Sequence, residues 1–250
     1  RKPFLFSLLF GFCILFVIQF QVKAQVTNGA QKLAAFKKQQ QLQEQSPYKN
    51  LQWRLTGPDT RSGRSTDVWG ITGNPDIIYA AFATGGLWKT EDAGNTWISL
   101  FDKEATLSIG NMAIAPSDNN ILYVGTGEAN IFRASLPGVG MYKSVNAGKS
   151  FTHIGLENTG TIARVIVHPK NANTVYAAAS GNEWTYNKDR GVYRTTDGGK
   201  TWKNILLEND KSGCIDLVID PTDPNILYAS MWNRIRRRWS DPVPEDGDHI

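Results

Sequence analysis

Acidic, basic and aromatic residues that could bind a ligand are concentrated in loops that follow short apolar segments containing a tyrosine. Two of these loops carry a glutamate, Glu128 and Glu183. Aromatic rings stack on sugar rings, arginine binds carboxylates, and two facing carboxylates can hydrolyse a glycosidic bond. If the loops share one opening, they form a ligand-binding mouth. The candidate ligand-binding residues are Arg61, Arg64, Glu128, Asn130, Arg133, Glu183, Trp184, Tyr186, Trp232 and Arg234.

The same residues have a structural interpretation, which the sequence leaves open. Trp184, Trp232 and Trp239 could cover neighbouring parts of the fold. Glu128 could pair with Arg133 or Arg64 and so join two loops, although exposed ion pairs contribute only about 0–1 kcal/mol. No residue is therefore assigned as catalytic from the sequence.

An eight-residue pattern occurs three times and marks the elements that must position these loops. It spans residues 90–97 (TEDAGNTW), 144–151 (SVNAGKSF) and 195–202 (TTDGGKTW), whose first residues are 54 and 51 positions apart. We call these segments the glycine turns. Glycine supplies backbone freedom, Asp or Asn bonds to nearby backbone, and Trp or Phe begins the next strand. The residues with this structural role are Thr90, Asp92, Gly94, Trp97, Ser144, Asn146, Gly148, Phe151, Thr195, Asp197, Gly199 and Trp202.

Each repeat of about fifty residues contains four short strand-like segments. Tyr79, Tyr123, Tyr176 and Tyr228 occupy the second segment of successive repeats. This pattern predicts an all-β fold, a β-propeller with four-stranded antiparallel blades. Residues 51–250 would form about three and a half blades, so the ring would be incomplete. We expect a further glycine turn within about ten residues after Ile250.

The glycine turns resemble the Asp box of the BNR-repeat β-propellers. This group includes sialidases, xyloglucan-hydrolysing glycosidases, the sortilin/Vps10 receptor domain and a photosystem assembly factor. The resemblance covers residues 53–250, and the nearest overall similarity is to secreted bacterial sortilin-N-terminal-like or xyloglucanase-like repeat proteins. It implies the propeller fold but no single function, because the group spans hydrolases, receptors and assembly factors.

The resemblance to the glycosidases can be compared residue by residue. In xyloglucanase-like enzymes a catalytic aspartate follows the Ile-Tyr-Ala strand of the first blade. This chain has Ala83 there, with Thr84 beside it, and neither is a carboxylate. The second acid would lie in a later propeller, so the resemblance carries over the fold and not the active site. Sialidases need three converging arginines, and the spacing does not assign Arg61, Arg64 and Arg133 to that role.

The first fifty residues differ in composition from the repeats. Residues 1–24 combine Arg1 and Lys2 with an apolar run and a small-residue site before Gln25, which predicts a signal peptide and an exported protein, secreted, periplasmic or at the cell surface. A membrane association is expected only if this segment stays uncleaved. Residues 25–50 are polar and Gln-rich, which predicts a partly helical linker.

Composition narrows the remaining classes of function. Beyond residue 24 the chain has 24 basic and 23 acidic residues. This balance lacks the excess of positive charge that is typical of proteins that bind nucleic acid. The three histidines are isolated, so no metal site and no cofactor are expected. We therefore expect a binding scaffold whose ligand is a polysaccharide or a peptide or protein, and the sequence leaves open whether the protein is also an enzyme. The alternative is a xyloglucanase- or sialidase-like glycosyl hydrolase with catalytic acids partly outside this chain.

Overall fold

The computed structural model describes residues 27–51, 64–130, 135–235 and 243–244. The predicted signal peptide at residues 1–24, Arg61 and Arg133 lie outside these residues. The first element in the described residues is helix α1 (Gly29–Gln45), which is capped by Asn28 and Gln31. The Asn28 side chain accepts the backbone N–H of Gln31, and the Gln31 side chain accepts that of Asn28. None of the helices in the described residues is long and apolar enough to cross a membrane.

Fifteen strands follow in the described residues and form four antiparallel sheets in chain order. The first two sheets are β1 (Ser65–Ile71), β2 (Asn74–Phe82), β3 (Gly86–Thr90) and β4 (Ile98–Ser99), and β5 (Ile109–Ala115), β6 (Asp118–Thr126), β7 (Met141–Ser144) and β8 (Thr152–His153). The last two sheets are β9 (Ile162–His168), β10 (Asn171–Ala179), β11 (Gly191–Thr195) and β12 (Lys203–Leu206), and β13 (Ser212–Ile219), β14 (Leu227–Ile235) and β15 (Val243–Pro244).

The sheets pack side by side, with the first strand of each against the first strand of the next. Apolar side chains fill the space between neighbouring sheets, and Tyr79, Leu87, Phe101 and Met112 are almost fully buried there. Phe101 contacts Tyr142 edge to face at 5.1 Å between ring centroids. This stacking of antiparallel meanders, three four-stranded and one three-stranded in the described residues, is the arrangement of propeller blades.

Each glycine turn joins the third strand of a sheet to the fourth and closes on a hydrogen-bond network. In the first turn Thr90 Oγ1 donates to Asp92 Oδ1 at 2.7 Å, and it accepts the Gly94 N–H at 2.9 Å. The Thr96 N–H and hydroxyl both donate to Asp92, at 2.8 and 2.6 Å. The third turn repeats these contacts around Asp197. The same hydrogen bonds therefore recur in the first and third turns. They indicate that the two carboxylates fix the backbone conformation of these turns.

The second glycine turn keeps this network with an amide in place of the carboxylate. Asn146 Oδ1 accepts from the Ser144 hydroxyl and the Ser150 N–H, at 2.9 and 3.0 Å. Its Nδ2 group donates to the Ser150 hydroxyl at 2.8 Å, where an aspartate would accept. Only the direction of one hydrogen bond differs, so the turn keeps its shape.

Candidate functional site

A cavity of about 420 Å³ opens where the first strands of all four sheets meet. It lies at the N-terminal ends of these strands, which pair with the C-terminal parts of β2, β6, β10 and β14. The residues that line it are Thr66, Gly110, Asn111, Ala129, Asn130, Ala163, Arg164, Ile215, Asp216 and Trp232. We call this space the channel cavity.

A β-bulge at the same position of every first strand shapes the channel cavity. Thr66, Gly110, Ala163 and Ile215 are each the extra residue where the pairing register with the second strand shifts by one. A bulge bends its strand and redirects the neighbouring side chains. All four bulged residues line the cavity.

The residue after each bulge is polar, and these four side chains connect the sheets around the cavity. Asp67 Oδ2 accepts from the Asn111 amide at 2.8 Å and from the Met112 N–H at 3.0 Å. Asn111 Oδ1 accepts the Val165 N–H at 2.8 Å. Arg164 Nε donates to Asp216 Oδ1 at 2.7 Å. Sheets one to four are thus joined in order by hydrogen bonds at the cavity.

Two of these carboxylates lie in different electrostatic environments. Burial raises the pKa of Asp67, although hydrogen bonds from Met112, Trp69 and Val68 oppose the change. Burial also raises the pKa of Asp216, but the hydrogen bonds from Arg164 and Leu217 and the Arg164 charge outweigh it, so the net shift is downward. The Asp67 carboxylate accepts hydrogen bonds from within the protein. The Asp216 side chain is 47% exposed and is ionised at neutral pH.

The structure brings two of the predicted ligand-binding residues, Asn130 and Trp232, to the channel cavity. Arg64 and Glu128 are not among the residues that line it. Arg64 Nε donates to Glu128 Oε1 at 2.7 Å, and the terminal Nη2 group binds the same oxygen. Glu128 is fully buried, and its other oxygen has no donor among the described residues. This pair joins the start of β1 to the loop after β6.

The loop after β10 carries three further candidates, none of which lines the channel cavity. Glu183 is buried, whereas Trp184 and Tyr186 are 46% and 41% exposed. The Lys211 ammonium lies 5.2 Å from the centre of the Tyr186 ring, a cation–π contact. Arg234 pairs through its backbone with Pro244. Arg61 and Arg133 lie outside the described residues.

Reasoning from the sequence missed the polar residues that follow the bulges. Asn111, Arg164 and Asp216 lie on the first strands of their sheets, whereas the sequence pattern placed the candidate residues in loops. The sequence did contain a signal for these residues. A polar residue occurs beside the apolar first-strand segment at the same position of each repeat, as Asp67, Asn111, Arg164 and Asp216. Within the described part of the chain, no group of three or more His, Cys, Asp or Glu side chains could hold a metal ion.

Comparison with known proteins relates the chain to xyloglucanases. No family model matches it. It is 25% identical over 182 residues to a probable oligoxyloglucan-reducing end-specific xyloglucanase of Neosartorya fischeri, covering 65% of this chain and 21% of the relative. It is 28% identical over 136 residues to a xyloglucanase of Hypocrea jecorina, covering 52% of this chain and 14% of the relative. The chain thus spans about a fifth or less of the length of these relatives.

The solved structures agree with the predicted fold. The crystal structure of an ancestral GH74 enzyme matches with a TM-score of 0.55 at 20% identity, over 68% of this chain and 22% of that one. At this identity the likeness bears on the fold alone. Together with the four stacked sheets it confirms the prediction of an all-β, partial β-propeller. The comparisons favour the hydrolase alternative over a pure binding scaffold.

Proposed function

We propose that the protein containing this chain is a carbohydrate-active β-propeller that hydrolyses a xyloglucan-like polysaccharide and binds it at the channel cavity. The observation that carries this proposal is the similarity to a probable xyloglucanase over 182 residues, which covers 65% of this chain. Asp-box turns, as in BNR-repeat proteins, would set the blade geometry. Export would follow from the signal peptide predicted at residues 1–24.

The side chains of the channel cavity suit a neutral glucan. Trp232 offers an aromatic surface for stacking against a sugar ring. Asn130 has both donors and an acceptor, and the Arg164–Asp216 pair presents both charges at the same wall. Paired charges and amides can bind vicinal hydroxyls without favouring an ionic ligand.

Within this proposal, the described residues supply the binding surface and one ionised carboxylate, Asp216. Hydrolysis of a glycosidic bond ordinarily uses two carboxylates. Ala83, at the position where the resemblance expects a catalytic aspartate, is fully buried and cannot act as an acid or base. We therefore place at least one catalytic acid outside the described residues. Ala83 also favours a second candidate function, binding of the same polysaccharide without hydrolysis.

The test is to incubate the full-length protein with xyloglucan, cellulose and xylan and to measure the release of reducing ends. We expect release from xyloglucan and a clear loss in D216N, because the cavity loses its carboxylate and the Arg164 partner. Asp76→Asn is the matched control, since Asp76 is exposed near the start of β2 and does not line the channel cavity. Binding of xyloglucan without release would favour the second candidate. Neither binding nor release would contradict both.

A further inference from the structure

A second cleft, of about 310 Å³, lies between the N-terminal end of α1 and the loops of the second and third sheets. It shares no lining residue with the channel cavity. Its lining residues are all polar or glycine, and four of them are asparagines. The lining residues are Thr27, Asn28, Gly29, Lys32, Gly138, Glu157, Asn158, Gly160, Asn182, Thr185, Asn187 and Asp189.

One wall of this cleft is α1, which is held against the propeller at its first turn. The Gly29 N–H donates to Asn158 Oδ1 at 3.1 Å. A Cβ atom on Gly29 would lie 1.8 Å from the Glu157 carbonyl oxygen, so only glycine permits this approach. Leu33 packs against the core between the first two sheets. The position of the wall is therefore set by specific contacts.

The opposite wall is the loop after β10, which is fixed by hydrogen bonds from Arg190. The fully buried Arg190 guanidinium donates to the carbonyls of Ser180, Asn182 and Thr185, at 2.8, 2.6 and 2.8 Å. These contacts fix the loop segment that presents Asn182, Thr185 and Asn187 to the cleft. Both walls are thus preorganised.

Hydrogen-bonding groups in the cleft are left unused by the protein. Lys32 forms no ion pair with any residue that the structure describes, and burial lowers the pKa of its ammonium. Asn187 Oδ1 is buried and has no donor in the described part of the chain, while its Nδ2 group donates to the Asn158 carbonyl at 3.3 Å. A buried acceptor without a donor is costly, which favours a ligand or water that supplies one.

The charges restrict the class of ligand. Glu157 and Asp189 line the cleft with Lys32, so its charge is close to balanced and slightly negative. A phosphate or carboxylate ligand would be repelled by two carboxylates and attracted by one ammonium. An apolar ligand would find no aromatic or aliphatic side chain among the lining residues. A neutral, hydroxyl-rich molecule matches both the donors and the acceptors.

We infer that this cleft is a second binding site for a neutral saccharide unit, separate from the channel cavity. Lys32 donates to sugar hydroxyls from the α1 wall, and Asn187 with Asp189 accepts hydroxyl protons from the opposite wall. The cleft would therefore hold a sugar when the channel cavity is disabled.

The test uses the full-length protein carrying W232A, which takes the aromatic ring out of the channel cavity so that sugar binding at the two sites can be told apart. Glucose, xylose, galactose and cellotetraose are titrated while the amide resonances of Asn158 and Asn187 are followed by NMR. At least one saccharide should shift these resonances. N187A and K32M should each weaken its binding about fivefold to tenfold, the loss of one hydrogen bond.

Asn173→Ala is the matched control, because Asn173 is an exposed asparagine at the start of β10, outside the cleft. Its affinity for the saccharide should equal that of the W232A parent. G29A should also lose binding, since the helix wall is displaced. Absence of any shift with all four sugars at millimolar concentration, or affinities of N187A and K32M equal to that of the W232A parent, would overturn the inference. Either result leaves the channel-cavity proposal standing, because that proposal is tested separately, by xyloglucan binding and hydrolysis in the protein with Trp232 intact.

Discussion

Arg64 and Glu128 form an ion pair in which two guanidinium nitrogens bind one oxygen of a fully buried carboxylate. The Arg64 carbonyl also accepts the Ala83 N–H at 2.9 Å, so this arginine joins the ends of β1 and β2 to the second sheet. The loop that follows Glu128 supplies Ala129 and Asn130 to the channel cavity. The pair therefore positions one rim of the candidate site.

Removing Arg64 should destabilise the protein more than removing the Glu128 charge. In R64A the Glu128 carboxylate stays buried without its partner, which we expect to cost about 2 kcal/mol, below the 3–5 kcal/mol of a fully buried pair because Arg64 is 41% exposed. In E128Q an amide oxygen can still accept from Arg64, so the loss should be smaller. Urea unfolding measures both, with the exposed Arg194→Ala as control. Equal losses in R64A and E128Q would contradict this account.

The glycine turns should make stability depend on pH in the acidic range. Hydrogen bonds from Thr96 and Thr90 lower the pKa of Asp92 from 3.8 to about 2. Because the folded-state pKa is depressed, the stabilisation is present above about pH 4 and is lost as the pH falls to about 2. D92N should therefore lower the urea midpoint at pH 7 but not at pH 2.

Asn146 permits the reciprocal experiment in the second glycine turn. N146D should raise the urea midpoint at pH 7, because charge-assisted hydrogen bonds replace neutral ones in the same geometry. The gain should vanish near pH 2. A gain that persists at pH 2 would mean that the carboxylate charge is not its cause.

Ala147 should be replaceable by glycine with a gain in stability. Its φ angle of 55° lies in the left-handed region, where a non-glycine residue is strained by about 1–2 kcal/mol. Glycine adds chain entropy to the unfolded state, at a cost of about 0.5–1 kcal/mol, so A147G should gain about 0.5–1 kcal/mol. Gly198, with φ 75°, holds the equivalent position in the third glycine turn. G198A should therefore be destabilising. A melting temperature of A147G below that of the parent would contradict the claim that Ala147 is strained.

Arg190 should control the order of the loop after β10. R190M removes the donor from three carbonyl groups while it keeps much of the buried volume, and we expect a loss of about 3 kcal/mol. Hydrogen exchange should speed up in residues 180–187 more than in β5 or β6. Uniform acceleration across the sheets would instead indicate that Arg190 stabilises the fold globally. R194M is the control, because Arg194 is an exposed arginine on β11.

The fold could be predicted from the sequence because its signals are local and repeated. Each glycine turn identifies the strands on either side of it, and the tyrosine of each second strand fixes the register of the repeat. Tyr79, Tyr123 and Tyr176 are all buried between sheets as this register requires. Local chemistry at three turns was thus sufficient to order the strands.

The candidate site was harder to predict because it depends on pairing between distant residues. A bulge is defined by the number of residues on each strand, which the sequence of one strand does not reveal. Arg64 was one of two possible partners for Glu128, and only the packing of the loops selects it among the described residues. The cleft beside α1 depends on the approach of Gly29 to Glu157, two residues far apart in the chain.

The central claim is that the channel cavity binds a xyloglucan-like glucan. Calorimetric titration of the full-length protein with a xyloglucan oligosaccharide tests it most directly, with W232A beside the parent and W184A as an aromatic control outside the channel cavity. We predict binding by the parent and by W184A, and a loss of about tenfold or more in W232A, the value of a stacked ring. Equal affinity of W232A and the parent, or no binding by any of the three proteins, would contradict the claim.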